Sequence, residues 1–582
     1  MKFEVWAPLA EQTVTLEVGG SCHEMTRGAA GWWQVDCPAR RGERYSFRLD
    51  GGEPRNDPRA LRLPDGPEGA AEVFGVSDVD WSDDAWRGTP LPGSVIYELH
   101  IGTFTTAGTL DAAVERLDHL VELGVDLIEL MPVATFPGRH GWGYDGVGLY
   151  AVHEPYGGPE ALCRFVDACH ARGLGVCLDV VYNHLGPSGN HLSEFGPYFT
   201  DRYDTPWGSA LNLDGPDSDE VRRFVIDNAV MWLRDFHVDA LRLDAVHALF
   251  DARAITMLED LSAEVTALSA MLGRPLWLIA ESDRNDPLTV TPRDAGGLGL
   301  HAQWADDVHH ALHVLLTGET QGYYADFAEP GALAKVLSGV FLHDGTYSTF
   351  RRRTHGRPVD RARAPGWRFV VSLQNHDQVG NRATGDRLSA HLSTGLLACG
   401  AALLLTGPCT PMLFMGEEWG ATTPWQYFTD HTDKRIAAAV RRGRRDEFVA
   451  FGWRSGDVPD PQSDVTVERS RLNWDEVASE PHARLVQWYG DLMRLRRRRL
   501  ALADPRLDRV HVEHDIEAQT VLVSRGDHRI AVNLSSTHRS LAVGGSGTGA
   551  GVLLAWKPDD TQVDGDVLRL PPESAAIVGP VS

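Results

Sequence analysis

The sequence has few cysteines and no apolar run long enough to cross a membrane. Its 582 residues include seven cysteines, an odd number, at irregular positions that form neither a disulfide framework nor a paired C-x-x-C metal site. The longest apolar stretches, such as Leu396 to Leu405, fall well short of the roughly 20 residues that span a bilayer. We therefore expect reduced thiols and no transmembrane segment.

Basic residues are also fewer than acidic ones. The chain has 81 acidic and 55 basic residues and a formal charge of −26, which repels phosphate backbones and anionic lipid surfaces. The first residues alternate like a strand and lack the basic head and long apolar run of a secretory signal. We expect a cytoplasmic protein, a monomer or weak homo-oligomer, that takes a neutral or cationic ligand and binds neither nucleic acid nor membranes.

Two patterns of hydrophobic residues divide the chain. Short alternating strands separated by Gly, Pro and Asp mark both ends, whereas the middle alternates apolar strand-like runs with helix-period segments. Eight such runs favour a closed parallel barrel over an open sheet. We predict an α/β fold with a (β/α)8 TIM barrel over 89–503 that carries long loop insertions, an N-terminal β-sandwich over 1–88 of immunoglobulin-like and carbohydrate-binding-module-like type, and a C-terminal all-β domain over 504–582.

The apolar runs also give local predictions. One helix is expected from an N-cap at Thr109 to a C-terminal glycine at Gly124, with Val121 on its apolar face. His309, His310 and His313 share a helical stretch, which we interpret as a partly solvated helix rather than a zinc site, and Arg496 to Arg499 as a solvated helix end. The predicted barrel strands are Val95 to His100, Val125 to Met131, Leu174 to Val181, Val238 to Asp244, Leu276 to Glu281, Leu300 to Trp304, Phe369 to Leu373 and Met412 to Met415.

Three candidate acids stand at the ends of such runs. Arg242 and Asp244 are two residues apart, so they project from the same side of a strand, and the arginine would orient a nucleophilic carboxylate; a structural ion pair is the alternative. Glu281 ends an apolar run that would raise its pKa, as a general acid requires; an exposed strand-end glutamate is the alternative. Asp377 supplies a third acid, although Asn-His-Asp could equally be a polar turn.

Together these acids supply the groups that glycoside hydrolysis needs. One carboxyl protonates the leaving oxygen, another attacks or assists the anomeric carbon, and hydrogen bonds to ring hydroxyls stabilise the transition state. His184 and His376 are each open to three interpretations, as metal ligand, as donor to a sugar hydroxyl or as packed structural histidine. Trp142 and Tyr144, in a Gly-rich loop, suit stacking on sugar rings, with core packing as the alternative for each.

Four segments resemble the signature regions of the α-amylase superfamily of glycoside hydrolases. They are Asp179-Val-Val-Tyr-Asn-His184, Asp239-Ala-Leu-Arg-Leu-Asp244, Leu278-Ile-Ala-Glu281 and Ser372-Leu-Gln-Asn-His-Asp377. The resemblance implies that Asp244 is the nucleophile, Glu281 the general acid/base, and Asp377 the acid that stabilises a distorted sugar. It implies substrate-binding roles for Arg242, His184, His376, Tyr144, Asp145, Trp142 and Asp179.

Longer stretches resemble the maltooligosyltrehalose trehalohydrolase family within that superfamily. They include Tyr97-Glu-Leu-His-Ile-Gly-Thr-Phe, Phe136-Pro-Gly-Arg-His-Gly-Trp-Gly-Tyr-Asp145 and Gln374-Asn-His-Asp-Gln-Val-Gly-Asn381, in which Asp145 and Gln378 favour this family. The resemblance implies release of trehalose from a trehalose-capped maltooligosaccharide by cleavage of the neighbouring α-1,4 bond.

Two alternatives remain open from the sequence. A glucan branching enzyme shares the scaffold, including a Trp-Gly-Tyr loop, and passes the glucosyl group to a sugar hydroxyl to form α-1,6 branches. A noncatalytic glucan-binding protein on the same barrel is less favoured, because all three acid positions are filled. No cofactor is expected, and no metal, because the connection after the third strand holds no dense carboxylate cluster.

Overall fold

Eight parallel strands close into a barrel at the centre of the protein, whose computed structural model describes residues 1–450, 454, 457–544 and 550–581. Seven of these strands lie within the predicted runs, and the predicted fold class, an α/β barrel with β-domains at both ends, is confirmed. The eighth begins two residues early because Thr410 and Pro411 already pair with Val370 and Val371. The barrel strands are Ile96–Leu99, Leu127–Leu130, Gly175–Val180, Ala240–Leu243, Trp277–Ala280, Ala302–Trp304, Phe369–Ser372 and Thr410–Phe414.

Helices surround the barrel and turn buried apolar residues toward it. No helix in the described part of the chain is long and apolar enough to span a membrane. The longer helices are Leu117–Leu123, Gly158–His170, Ser218–Arg234, Met257–Leu272, Asp306–Thr317, Ala332–Gly339, Thr394–Leu405, Lys434–Ala450, Asp464–Ser470 and His482–Arg498. The shorter ones are Ile101–Phe104, Leu110–Val114, Leu192–Phe195, His376–Gly380 and Leu500–Ala503.

The predicted helix between Thr109 and Gly124 is two short helices. Its ends are as expected, because the Thr109 hydroxyl accepts the Ala112 N–H and Gly124 caps the end with a φ of 107°. The helix breaks near Arg116, whose φ of −106° and ψ of −1° lie outside helical geometry. The break rotates the second helix, so Val121 is 41% exposed and the prediction that it lies on the apolar face is wrong.

Antiparallel sheets form both ends of the chain. The N-terminal sheets contain Lys2–Trp6, Trp32–Asp36 and Thr26–Arg27 on one side, and Ser21–Glu24, Val14–Val18, Arg44–Leu49, Pro54–Arg55 and Ala71–Glu72 on the other. The C-terminal sheets contain Val510–Asp515, Thr520–Arg525, His528–Asn533, Ser574–Pro580 and Ala550–Ala555, and Arg539–Ala542, Val567–Leu570 and Gln562–Asp564. Smaller hairpins pair Ala134–Thr135 with Gly148–Val152, Phe199–Thr205 with Gly208–Leu211, and Thr346–Ser348 with Arg353–His355.

The N-terminal sandwich is joined to the barrel by ion pairs. Arg62 reaches Glu154 at 2.7 Å and Glu160 at 3.1 Å, and Arg59 reaches Asp227 at 2.9 Å. These pairs are partly exposed, so each contributes at most about 1 kcal/mol. They connect the N-terminal sheets to residues of the barrel domain at one interface.

Two helix surfaces that were predicted to be solvated are partly buried. His309 and His313 are 2% and 5% exposed, and the ring of His313 stacks on Tyr324 at 4.4 Å. Arg496 is 3% exposed, and its guanidinium donates to the carbonyls of Leu405 and Gly407. Neighbouring elements cover these three side chains, whereas His310 is half-buried and Arg497 and Arg498 are exposed, so both surfaces are partly solvated. Unpaired carbonyls at the C-terminal end of a helix accept Arg496.

Asp239 ties the linker that precedes the barrel to the start of the fourth strand. Its fully buried carboxylate accepts hydrogen bonds from the Val176 N–H at 2.9 Å and the Trp86 indole at 2.8 Å. It also pairs with His170 at 3.0 Å and Arg274 at 2.7 Å. Three separate segments therefore depend on one buried negative charge.

We predict that Asp239→Asn lowers the free energy of unfolding by about 3 to 5 kcal/mol, because it leaves the buried Arg274 without its counter-charge. Chemical denaturation would measure the change. Asp235→Asn, at a half-buried position beside Arg234, is the matched control and should change stability by no more than about 0.5 kcal/mol. Equal stability of the two variants would contradict the assigned role of Asp239.

Candidate active site

The three predicted acids lie at the same end of the barrel. Asp244 directly follows the strand Ala240–Leu243, Glu281 follows Trp277–Ala280, and Asp377 lies on the short helix after Phe369–Ser372. Because all barrel strands run parallel, their carboxyl ends meet at one face, where barrel enzymes carry their active sites.

Arg242 links the carboxylates of this site. Its Nη1 donates to both oxygens of Asp179 at 2.9 Å and to Asp244 Oδ1 at 2.7 Å, while its Nη2 lies 3.4 Å from Glu281 Oε2. The guanidinium is fully buried and lies 4.4 Å above the centre of the Trp304 ring. A cation held in this way orients the Asp244 carboxylate and attracts its negative charge.

Asp244 has a second fixed contact. The Asn183 side-chain amide donates to Asp244 Oδ2 at 2.9 Å, so each carboxylate oxygen has one donor. The side chain is 12% exposed and therefore still reaches the cleft. These contacts leave Asp244 oriented and accessible, as a nucleophile requires.

Glu281 packs against the peptide that follows Asp244. Its Oε2 accepts the Ala245 N–H at 2.6 Å. Burial, together with the negative charges of Asp244 and Asp377, raises the pKa of Glu281 to about 8 against the opposing charge of Arg242. A carboxyl that remains protonated near neutral pH beside an ionised one can act as a general acid.

Asp377 is the most exposed of the three acids. It lies in the first turn of the helix His376–Gly380, whose N-cap Asn375 accepts the Gln378 N–H. Its side chain is 42% exposed, and its Oδ1 lies 3.2 Å from the Asn381 amide. With few protein contacts, this carboxylate is free to accept hydrogen bonds from a sugar.

Tyr144 and His376 lie between Asp179 and Asp377, and together they contact both. The Tyr144 hydroxyl donates to Asp179 Oδ2 at 2.6 Å and lies 2.8 Å from His376 Nε2. The two rings stack at 5.2 Å, and His376 Nε2 is 3.7 Å from Asp377 Oδ1. Burial raises the pKa of Asp179 to about 6 in spite of the nearby Arg242, so it is still ionised at neutral pH.

The remaining predicted residues lie on the loops around these groups. His184 Nε2 contacts the Tyr144 carbonyl at 3.0 Å, and the ring stacks on the exposed Trp207 at 5.5 Å. Asp145 lies 3.7 Å from His431. Trp142 is 5% exposed and stacks on Trp425 at 5.5 Å, so its ring supports the loop, and it lies perpendicular to the His376 ring.

Three residues of the site were not predicted to belong to it. Asn183 contacts Asp244, Trp304 lies beneath Arg242, and Glu98 pairs with His376. Glu98 had a sequence signal, because it is a charged residue in the middle of an apolar strand, and acidic side chains are almost never buried without a partner. Within the described residues, no group of three or more His, Cys, Asp or Glu side chains is placed to hold a metal ion.

Known proteins match this chain over its whole length. A family model for the catalytic domain of alpha amylase matches residues 79–202, and a domain of unknown function, DUF3459, matches residues 505–577. The malto-oligosyltrehalose trehalohydrolase of Arthrobacter ramosus is 57% identical over 538 residues, 92% of each chain. The one from Mycobacterium tuberculosis (strain CDC 1551 / Oshkosh) is 51% identical over 561 residues, 96% of this chain and 95% of the relative.

The chain belongs to the malto-oligosyltrehalose trehalohydrolase family. The 1,4-alpha-glucan branching enzyme of Corynebacterium jeikeium (strain K411) is a more distant relative, 27% identical over 73% of this chain and 61% of that protein. Pullulanase from Anoxybacillus sp. LM18-11, in a crystal structure with maltotetraose, superposes with a TM-score of 0.74 at 17% identity, over 100% of this chain and 86% of that one. This last similarity shows the fold alone.

Proposed function

We propose that this member of the trehalohydrolase family hydrolyses the α-1,4 bond next to the trehalose end of maltooligosyl trehalose, with net retention of configuration. The observation that supports it best is the buried Arg242, which contacts both Asp244 and Glu281. The 57% identity to a named trehalohydrolase supports the choice of substrate.

In the first step Glu281 donates its proton to the glycosidic oxygen as the bond from this oxygen to C1 breaks. Asp244 attacks C1 from the opposite face and forms a maltooligosyl ester, and trehalose leaves. In the second step the Glu281 carboxylate takes a proton from water, which attacks C1 and displaces Asp244. Two inversions at C1 give net retention.

The other predicted residues bind the sugar or hold those that do. Asp377 accepts hydrogen bonds from hydroxyls of the sugar at the cleaved bond, and Tyr144 provides a stacking face. Arg242, Asp179 and His376 orient the acids, while His184, Trp142 and Asp145 shape the loop side of the cleft. These assignments are supported by the contacts described above, by the exposed carboxylate of Asp377 and by the partial exposure of Tyr144.

We also propose that the chain is divided at 1–88, 89–503 and 504–582, and that it works in the cytoplasm as a monomer or weak homo-oligomer. All seven cysteines are free, and six of them are buried, in keeping with a reducing compartment.

Product analysis tests the proposed reaction. Incubation of the full chain with maltotriosyl trehalose should release trehalose and maltotriose in equal amounts, measured by chromatography. The same enzyme given amylose should create no α-1,6 branches, measured by debranching and chain-length analysis. Branch formation without release of trehalose would contradict the proposal and indicate a branching enzyme.

A further inference from the structure

Two buried glutamates lie side by side inside the barrel, below the catalytic acids. Glu98 on the first strand and Glu129 on the second are direct partners in the parallel pairing, and each is 1% exposed. Side chains at paired positions point the same way, and Glu98 reaches His376, so both carboxyls face the barrel interior. The reaction described above uses neither of them.

Glu98 holds His376 through two hydrogen bonds. The His376 main-chain N–H donates to Glu98 Oε2 at 2.9 Å, and the ring Nδ1 contacts Glu98 Oε1. A carboxylate only accepts hydrogen bonds, so this contact places a hydrogen on Nδ1. The same side chain therefore fixes the backbone next to Asp377 and the orientation of the ring.

The opposite ring nitrogen must also carry a hydrogen. The Tyr144 hydroxyl has one hydrogen, which it donates to Asp179, an ionised acceptor held by Arg242 on both oxygens. The Tyr144 oxygen, 2.8 Å from His376 Nε2, can then only accept, so Nε2 donates. His376 is therefore an imidazolium, with a hydrogen on each ring nitrogen.

The surrounding charges agree with this protonation. Burial lowers the pKa of His376, but the negative charges of Glu98 and Asp377 outweigh it and raise the pKa to about 9. Burial and the charge of Glu98 raise the pKa of Glu129 well above its ordinary value, and neither carboxyl oxygen of Glu129 has a hydrogen-bond partner among the described residues. The titratable and charged groups that face His376 are Glu98, Glu129, His100, Tyr144, Asp179, Arg242 and Asp377.

We propose that Glu98 is a positioning residue that keeps His376 a fixed cation, whose Nε2–H donates to the Tyr144 hydroxyl beside Asp377, while Glu129 is a neutral neighbour. The chain of contacts runs from Glu98 through His376, Tyr144, Asp179 and Arg242 to the nucleophile Asp244. The inference rests on the proposed function because it concerns the same site.

The test compares pH profiles of kcat and KM for the full-length protein acting on maltotriosyl trehalose. In Glu98→Gln, His376 loses its counter-charge and titrates closer to the ordinary histidine value of about 6.5. We expect kcat at pH 7.5 to fall at least tenfold, with a smaller change in KM. The decline of kcat on the alkaline side of the profile should begin more than one pH unit lower than in the wild type. Glu98→Asp keeps the negative charge and should restore much of the activity at alkaline pH.

Glu129→Gln is the matched control, because it replaces a neutral acid with a neutral amide on the neighbouring strand. Its alkaline limb should stay where it is in the wild type. A wild-type limb in folded Glu98→Gln, or an equal shift in Glu129→Gln, would overturn the inference. Absence of trehalose release by the wild type would instead reject the proposed function.

The protonation state of His376 can also be measured in the wild type, so the test does not depend on the folding of Glu98→Gln. Solid-state ¹⁵N spectra of histidine-labelled protein at pH 7.5 should contain an imidazolium signal with both nitrogens protonated that is missing from His376→Asn. A neutral ring assigned to His376 in the same way would overturn the inference.

Discussion

Asp244→Ala is expected to lower the rate of trehalose release by about 10⁴-fold or more, in the range seen when a catalytic nucleophile is removed. Without this carboxylate no ester forms at C1. The variant should remain folded because Arg242 keeps its contacts with Asp179. Release of trehalose from maltotriosyl trehalose, followed by chromatography, gives the rate, and circular dichroism reports the fold.

A small anion provides the control for that experiment. The substitution removes a side chain that faces the cleft, so azide can occupy its place and attack C1 from the same side. We expect the folded variant to form the β-azide of maltotriose while releasing trehalose at a partly restored rate. Turnover within tenfold of the wild type in the absence of azide would contradict the assignment of Asp244.

Glu281→Gln is expected to lower the rate by about 10² to 10⁴-fold, the usual contribution of a general acid. Only the protonated carboxyl can donate, and burial raises the pKa of Glu281 to about 8, so wild-type activity should decline as the pH rises through that value. The decline near pH 8 should be absent from the residual activity of the variant. Initial rates across pH 5 to 10 would measure it.

A substrate whose leaving group needs no proton distinguishes the loss of the general acid in Glu281→Gln from a general disruption of the active site. With maltotriosyl fluoride, the first step in Glu281→Gln should proceed at a rate close to that of the wild type, because fluoride departs without help. An equal loss on fluoride and on maltotriosyl trehalose would contradict the role of Glu281 as an acid.

The sequence was sufficient to predict the barrel and its three acids. Each barrel strand is a short apolar run, buried on both sides in the structure, and such runs stand out between amphipathic helices. Asp244 and Glu281 directly follow these runs, so the position of a strand end also located the carboxyl. Parallel pairing then brought together residues that are far apart in the chain.

The unpredicted features depend on contacts between distant segments. The burial of His309 and His313 is produced by Tyr324 and its neighbours from a following segment, and Arg496 is covered by carbonyls about ninety residues away in sequence. The break near Arg116 leaves little trace in a continuous apolar pattern. The interaction between Glu98 and Glu129 could not be predicted from the sequence, because it depends on the strand pairing that places them side by side.

The anomeric form of the first maltotriose released tests the central claim most directly. ¹H NMR recorded within the first minute of reaction with maltotriosyl trehalose, before mutarotation, distinguishes the two anomers. An ester on Asp244 followed by attack of water requires the α anomer to appear first. Initial release of the β anomer would mean direct displacement by water and would contradict the nucleophilic role of Asp244.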